Sequence, residues 1–471
     1  ALARGIDVFA IHEGLQGLVE GGDKIRRMDW DSVGGILHQG GTVIGSARSK
    51  AFRTREGRLQ AARNLVRKDI DSLVVIGGDG SLTGANLFRT EWPELLAELV
   101  REGEVGAELI ERHPSLAIAG LVGSIDNDMF GTDMTIGADT ALHRITEAID
   151  AISSTASSHQ RTFVIEVMGR HCGYLALMSA LATGAHWVFI PESPPAVDDW
   201  ATTMSANLRA GRAMGRRSNI VVVAEGAHDR HGQPITSADV QKALEEGLGD
   251  EARVTILGHV QRGGTPSAFD RYLSSVLGYA AVETVLEQDP SAEPLMIGIR
   301  QNAIVKSPLM ETVEKTRSMP EVIKAGEYEK AMEMRGGSFG EAFRHLRTLL
   351  RAAPHDPPDG HRPLRLAIMH GGGPSPGMNT AVRTAVRLGI DHGHTILGVR
   401  NGFEGLLAGD VVEMEWMTVD GWVSRGGAEL GTSRFVPRDR DVPRISEQIR
   451  ELKLDGLLVI GGAAGYESAY R

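Results

Sequence analysis

Two acidic stretches bounded by glycine hold the residues best suited to phosphate chemistry. GGDGS at 77–81 follows the apolar run LVVI and sets Asp79 between glycines. Glycine lets a backbone come close to a phosphate, and N–H groups at a helix start favour an anion. Asp79 has the chemistry to hold Mg²⁺, which takes a carboxylate together with phosphate oxygens. The same five letters also fit a tight turn with a solvated aspartate. They are not a Walker loop, because no GK[ST] follows, and GDGSLTG places its last glycine one residue too far for a dinucleotide fingerprint. In GSIDNDMFGTD at 123–133, Asp126 and Asp128 flank Asn127 after a predicted strand. Continued as an extended chain, both carboxylates would point the same way. One would serve as general base on a hydroxyl and the other would help place a metal. An Asx-rich turn is the equally open structural reading.

Six arginines stand beside glycine turns or predicted strand ends: Arg48, Arg53, Arg161, Arg170, Arg253 and Arg262. Arginine suits bidentate phosphate binding. One such residue usually means a surface ion pair, whereas six suggest a heavily phosphorylated ligand. His159, His171 and His259 lack metal-ligand spacing, so no zinc site is expected. The single cysteine, Cys172, has neither a CxxC partner nor a nearby base, and is expected to pack in a helix beside Gly173.

These groups need a scaffold. LVVIGG (73–78), FVIEVMG (163–169) and NIVVVAEG (219–226) each read as a buried strand ending in a glycine turn. Between them, Leu142, Ile145, Ile149 and Ile152 form one face of a helix over 139–152. The expected fold class is α/β, with doubly wound, mostly parallel sheets covered by helices on both faces. Ligands then sit beyond the carboxyl ends of the strands, where the glycine turns fall.

At 471 residues the chain exceeds what one core usually supports. Hydrophobic residues make up 42% and charged residues 24%, an ordinary globular balance. A net charge of −11 argues against nucleic acid as a partner but leaves small anions open. No apolar run approaches the ~20 residues of a membrane span. With one cysteine and no signal-peptide pattern, the expectation is a cytoplasmic protein that does not engage membranes.

The text also repeats. GLQGL (14–18) recurs as GFEGL (402–406), GTVIGSAR (41–48) as GAELGTSR (427–434), and LVVIGGDG (73–80) as LLVIGGAA (457–464). Constant order and near-constant spacing indicate a duplicated domain. The expected organisation is a first lobe over 1–350, a linker over 351–363 containing APHDPPDGHRP, and the opening part of a second lobe over 364–471. The partner of HGGGPSPGMNTAVR (370–383) would precede residue 1, and that of SIDND would follow residue 471, so truncation at both ends is expected.

In order, GGDGS, GSIDND, SHQR, VMGRHCGYLAL and HVQRGG closely resemble the phosphofructokinases. The duplication and the phrase MGRHCGYLAL resemble the long, two-lobed form, and the resemblance covers essentially the whole chain. It implies transfer of the γ-phosphoryl of ATP to the 1-hydroxyl of fructose 6-phosphate, the committed step of glycolysis. By resemblance Asp126 is the general base, Asp79 holds Mg²⁺, and Gly78, Gly80 and Ser81 cradle the ATP phosphates. Arg48 and Ser49 lie along ATP, and Ser124 and Arg170 face the transferring phosphoryl group. Ile125, Met168, Gly169, Glu225, His259, Val260 and Gln261 shape the sugar pocket. Arg161, Arg253 and Arg262 take the 6-phosphate, with Arg161 and Arg253 reaching across from a neighbouring lobe, which implies a homo-oligomer, dimer or tetramer. Pyrophosphate-dependent relatives typically carry GGDDS and a lysine where this chain has Gly80 and Gly123, so ATP is the expected donor. In the second lobe Ala463 replaces Asp79 and Gly465 replaces Ser81, while Arg434 matches Arg48. That lobe is expected to bind a regulatory sugar phosphate such as fructose 2,6-bisphosphate. The resemblance also assigns an ATP contact to a first-lobe loop equivalent to 371–379, which this chain lacks.

Two other readings have specific counter-evidence. A non-catalytic regulatory subunit should have lost some of Asp79, Asp126, Asp128 and the arginines, as the second lobe has. Lipid and NAD kinases share GGDG but not the SIDND, SHQR and MGR series.

Overall fold

The computed structural model describes residues 1–159, 161–357 and 359–471; the side chain of His159 lies outside the described residues. The LVVI run forms the strand Ser72–Gly77, parallel to Ala117–Ser124, which in turn runs parallel to Leu295–Arg300. An antiparallel hairpin to Ala303–Pro308 closes the far edge. A second sheet is parallel throughout, in the order Trp187–Phe189, Asn219–Ala224, Thr162–Val167, Ala252–Ile256. All six residues of Asn219–Ala224 are buried, as a strand covered on both faces requires. The third sheet, in the second lobe, runs Val411–Met414, Thr395–Val399, Arg365–Gly371, Gly456–Gly461 and is parallel except at its Val411–Met414 edge. The α/β, mostly parallel character expected from the strand texture is therefore present.

Helices seal the faces. Asp79–Arg101 buries Leu82, Ala85, Phe88, Trp92, Leu95, Leu96 and Leu99 at helical spacing against the first sheet. Its indole N–H ends in the core yet is satisfied, donating to His113 O at 3.0 Å. The helix expected over 139–152 runs Ala138–His159. Ser153 to Ser158 contain neither Gly nor Pro, and the hydroxyls of Ser154, Ser157 and Ser158 bond back to carbonyls three or four residues earlier, so nothing stops the helix sooner. Among the described residues no helix is long and apolar enough to cross a membrane.

Of residues 351–363, the described 351–357 and 359–363 carry neither helix nor strand. Beyond them, helix Met378–Asp391 packs on helix Gly337–Leu349 of the first lobe. Arg387, 1% exposed, donates to Leu349 O at 3.1 Å and to Asp420 at 3.0 Å, and lies over the Trp416 ring. Arg216 and Arg383 are also buried there. Of the three guanidiniums only Arg387 pairs directly with Asp420, which acts on Arg216 and Arg383 through space, and burial depresses Arg216 to about 10 and Arg383 to about 9.

Candidate active site

The first catalytic candidates sit where the first sheet ends. Gly78 is the N-cap of Asp79–Arg101, so Asp79 is the first helical residue. A Cβ on Gly77 would come within 2.8 Å of Ser81 Cβ, so glycine is needed to fold the turn. Gly78 and Gly80 face open space instead, with nothing within 4 Å of a Cβ. The result is a helix N-terminus with an unfilled mouth and one carboxylate. Asp79 Oδ2 accepts from Arg317 Nε at 3.2 Å, a neighbour on helix Leu309–Lys324 that carries no recognisable motif. Among the described residues no cluster of three His, Cys, Asp or Glu forms a metal site. A divalent cation at Asp79 would therefore draw its other ligands from phosphate oxygens and water, which is how Mg²⁺ is commonly bound.

Beyond the adjacent strand, Asp126 and Asp128 are not in extended chain and do not alternate as expected. The strand stops at Ser124, and Asn127 turns left-handed at φ 50°. Its carboxamide stabilises the turn, accepting from Thr135 N at 2.8 Å and donating to Asp133 O at 3.1 Å. Ser124 Oγ donates to Asp128 Oδ1 at 2.8 Å. Asp126 is left 7% exposed, with its buried Oδ1 lacking any hydrogen-bond partner. Burial, then the Asp128 carboxylate, push its acid up to about 6, with Glu225 adding to the rise and Arg262 and Arg170 opposing it.

Glu225, Arg262 and Arg170 come from the carboxyl ends of the second sheet. After Thr162–Val167, Gly169 takes φ 142° and a Cβ there would lie 2.2 Å from Cys172 O. Arg170 is itself left-handed at φ 53°, held by its N–H donating to Glu225 at 2.8 Å. Gly226 permits this, since a Cβ would meet Arg170 O at 1.7 Å. Gln261, buried in the short 3₁₀ helix Gly258–Arg262, accepts from Met168 N at 3.1 Å. His259, Val260 and Arg262 of the same turn are exposed, and Ile125, Met168 and Leu257 pack against the same hydrophobic core. Thus Ser124, Ile125, Asp126, Met168, Gly169, Arg170, Glu225, Gln261 and Arg262 converge where the two sheets meet.

Other candidates lie elsewhere. Arg161 precedes Thr162–Val167, and Arg253 pairs in register with Phe163, so both stand at the amino end of the sheet. At ~3.3 Å per residue that is roughly 15–20 Å from Met168. Arg253 pairs with Glu251 at 2.8 Å. Within one chain the six arginines are therefore not one cluster. Arg48 and Arg53 are exposed in the segment before helix Arg55–Val66, while Ser49 Oγ accepts from Phe52 N at 3.0 Å. Cys172 is buried, but in the turn before helix Tyr174–Thr183 rather than in it. Burial pushes its thiol far up, which suits a packed residue.

In the second lobe, Gly462 caps helix Ala463–Tyr470 with φ −98° and ψ −162°, close to the −84° and −171° of Gly78. The backbone of the phosphate turn is kept and its acid is gone. A Cβ on Gly465 would touch Gly371 Cα at 3.4 Å, and one on Gly461 would strike Gly371 O at 2.1 Å, so this turn is packed against the neighbouring strand. Arg434 reaches toward Gly373, in a loop joined by Gly372 N to Ser433 O at 2.8 Å.

Motif reading missed Arg335 and Glu192. Glu192 is fully buried, and Arg335 donates to its Oε1 at 2.7 Å. PESPP and EMRGG look like ordinary loop text; only a buried pair formed across the fold gives them meaning.

The phosphofructokinase family model matches residues 1–285 and 365–471. The ATP-dependent 6-phosphofructokinase, liver type, of Homo sapiens is 53% identical over 463 residues, covering 98% of this chain and 59% of the relative. The ATP-dependent 6-phosphofructokinase of Dictyostelium discoideum is 51% identical over 469 residues, 99% of this chain and 55% of that protein. The structure of phosphofructokinase from Saccharomyces cerevisiae superimposes with a TM-score of 0.96 at 46% identity, over 100% of this chain and 63% of that one. The chain thus spans less than two thirds of the length of these relatives.

Proposed function

This chain belongs to the phosphofructokinase family, and from that premise we propose that its protein transfers the γ-phosphoryl group of ATP to the 1-hydroxyl of fructose 6-phosphate. The observation that carries the reading is Asp126. Its Oδ1 is buried without a partner, and its acid is pushed up to about 6. A buried acceptor with no donor is costly unless a ligand supplies one. A sugar hydroxyl is such a donor, and a base of that strength is ionised yet effective near neutrality.

The sugar oxygen attacks the γ-phosphorus while its proton passes to Asp126. The bond from the γ-phosphorus to the β–γ bridging oxygen breaks, and ADP leaves. Arg170 and Ser124 neutralise and hold the transferring group; Gly78, Gly80 and Ser81 present the helix N-terminus to the nucleotide phosphates. Bound at Asp79, Mg²⁺ would supply charge neutralisation on the phosphate oxygens. Met168, Gly169, Glu225, His259 and Arg262 shape the sugar side. The open space over Gly80 supports ATP rather than pyrophosphate as donor.

In the same reading, residues 1–350 form the catalytic lobe, 351–363 the linker, and 364–471 the start of a lobe turned to regulation. Arg434 and the acid-free turn at Ala463 support a sugar-phosphate effector there. Arg161 and Arg253, far from Asp126, support an oligomer in which a neighbour completes the 6-phosphate site.

Incubating the whole protein with fructose 6-phosphate and MgATP, and following the products by phosphorus NMR, tests this. A new 1-phosphate that vanishes without a divalent ion is expected. Nucleotide hydrolysis with the sugar unchanged contradicts it.

A further inference from the structure

Arg335 lies between helix Tyr328–Met334 and helix Gly337–Leu349, outside the GGDGS, SIDND, SHQR, MGR and HVQR motifs. Its side chain is 5% exposed and all three of its nitrogens are engaged. Nε donates to Glu192 Oε1 at 2.7 Å, Nη1 to Asp128 O at 3.1 Å, and Nη2 to His171 O at 2.5 Å. Glu192 in turn accepts from Gly173 N through both oxygens, at 3.0 and 2.9 Å. One guanidinium therefore ties the loop carrying Asp126, on the first sheet, to the turn carrying Gly169 and Arg170, on the second. Glycine at 173 is needed for the tie, because a Cβ there would lie 2.7 Å from Glu192 Oε2.

We propose that Arg335, through its ion pair with Glu192, is a positioning residue that sets the distance between the base loop and the phosphoryl-facing turn. The inference rests on the phosphoryl-transfer reading of Asp126 and Arg170 and adds to it the group that aligns them. A planar guanidinium is suited to this, since it fixes three acceptors at once where an ammonium would not. The pair also carries its own constraint: with either member removed, the other is left as a buried charge without its partner.

The consequence to measure is the titration of Asp126. Its surroundings are the carboxylates of Asp128 and Glu225 and the guanidiniums of Arg262 and Arg170. Asp128 is held through its own carbonyl by Arg335. If Arg335 is loosened, the base loop and the phosphoryl-facing turn part, the burial of Asp126 falls first and the push from Asp128 weakens with it, and Asp126 titrates at lower pH.

The test uses the whole protein as wild type, Arg335→Lys, Arg335→Met and Glu192→Gln. The acid limb of kcat/KM is expected to move down by about half a pH unit or more in the variants. At neutral pH kcat is expected to fall at least ~10-fold, with KM for ATP changed less than ~2-fold. Lysine should fall between wild type and methionine. A second readout needs no turnover: the melting-temperature difference between each form and its Asp126→Asn counterpart, followed against pH, reports the same titration. If Arg335→Met does not fold, Arg335→Lys and Glu192→Gln decide. Displaced midpoints support the inference. Unmoved midpoints, with activity tracking only the folded fraction, overturn it. Absence of activity in folded wild type defeats the phosphoryl-transfer reading instead, while the melting series still reports on Arg335.

Discussion

Asp126 shows how a residue can be legible in type and illegible in state. Two aspartates two apart announce acid chemistry, but strand alternation does not place them, because the strand ends at Ser124. Asn127 turns left-handed, leaving Asp126 buried and Asp128 bonded to Ser124. No spacing rule reports that, because the turn depends on Thr135 and Asp133 packing back on the loop. The raised acid has a stability consequence. A carboxyl that binds its proton more tightly when folded favours the fold below its ordinary pKa of 3.8, and that advantage is lost as pH rises through about 6. Ionised Asp126 therefore costs the fold roughly 3 kcal/mol above that pH. Asp126→Asn is expected to melt higher than wild type at pH 7.5, and to lose that difference near pH 4. Equal melting at pH 7.5 would mean that Asp126 is not held in a perturbed state.

Among the elements, the strands ending in glycine were readable because their apolar runs are continuous and their turns unambiguous. Helix Ala138–His159 was underestimated, since its last two turns are serine-rich and show no apolar stripe. The turn at 77–81 makes the sharpest prediction of this kind. Gly77 is sterically required, whereas Gly80 is not. Gly80→Asp should leave melting nearly unchanged, because the new side chain enters open space. It should raise KM for ATP ~10-fold or more, since a carboxylate there opposes the nucleotide phosphates; tenfold corresponds to about 1.4 kcal/mol. A large loss of stability with unchanged KM would show that the open space is not the nucleotide's.

Across the whole molecule, duplication was visible as repeated text, and the close match between the Gly78 and Gly462 caps shows it in the backbone. What text could not show is that the arginines divide between the two ends of one sheet. Arg161 and Arg253 share the amino end; Arg170 and Arg262 share the side of Asp126. A chain that uses all four in one site needs a neighbour. Mixing Asp126→Asn protein with Arg253→Ala protein, each inactive alone, and allowing subunits to exchange should restore activity, because some sites then draw both intact groups. No recovery after proven exchange would place the sugar phosphate entirely within one chain.

The most direct measurement is the rate of fructose 6-phosphate phosphorylation by the whole protein, with ATP and pyrophosphate compared as donors and Asp126→Asn run beside wild type. The account predicts activity with ATP, little with pyrophosphate, and a loss of about 10²–10⁴-fold in the variant, the range for a displaced general base. Activity confined to pyrophosphate, or a folded Asp126→Asn protein as fast as wild type, would contradict it.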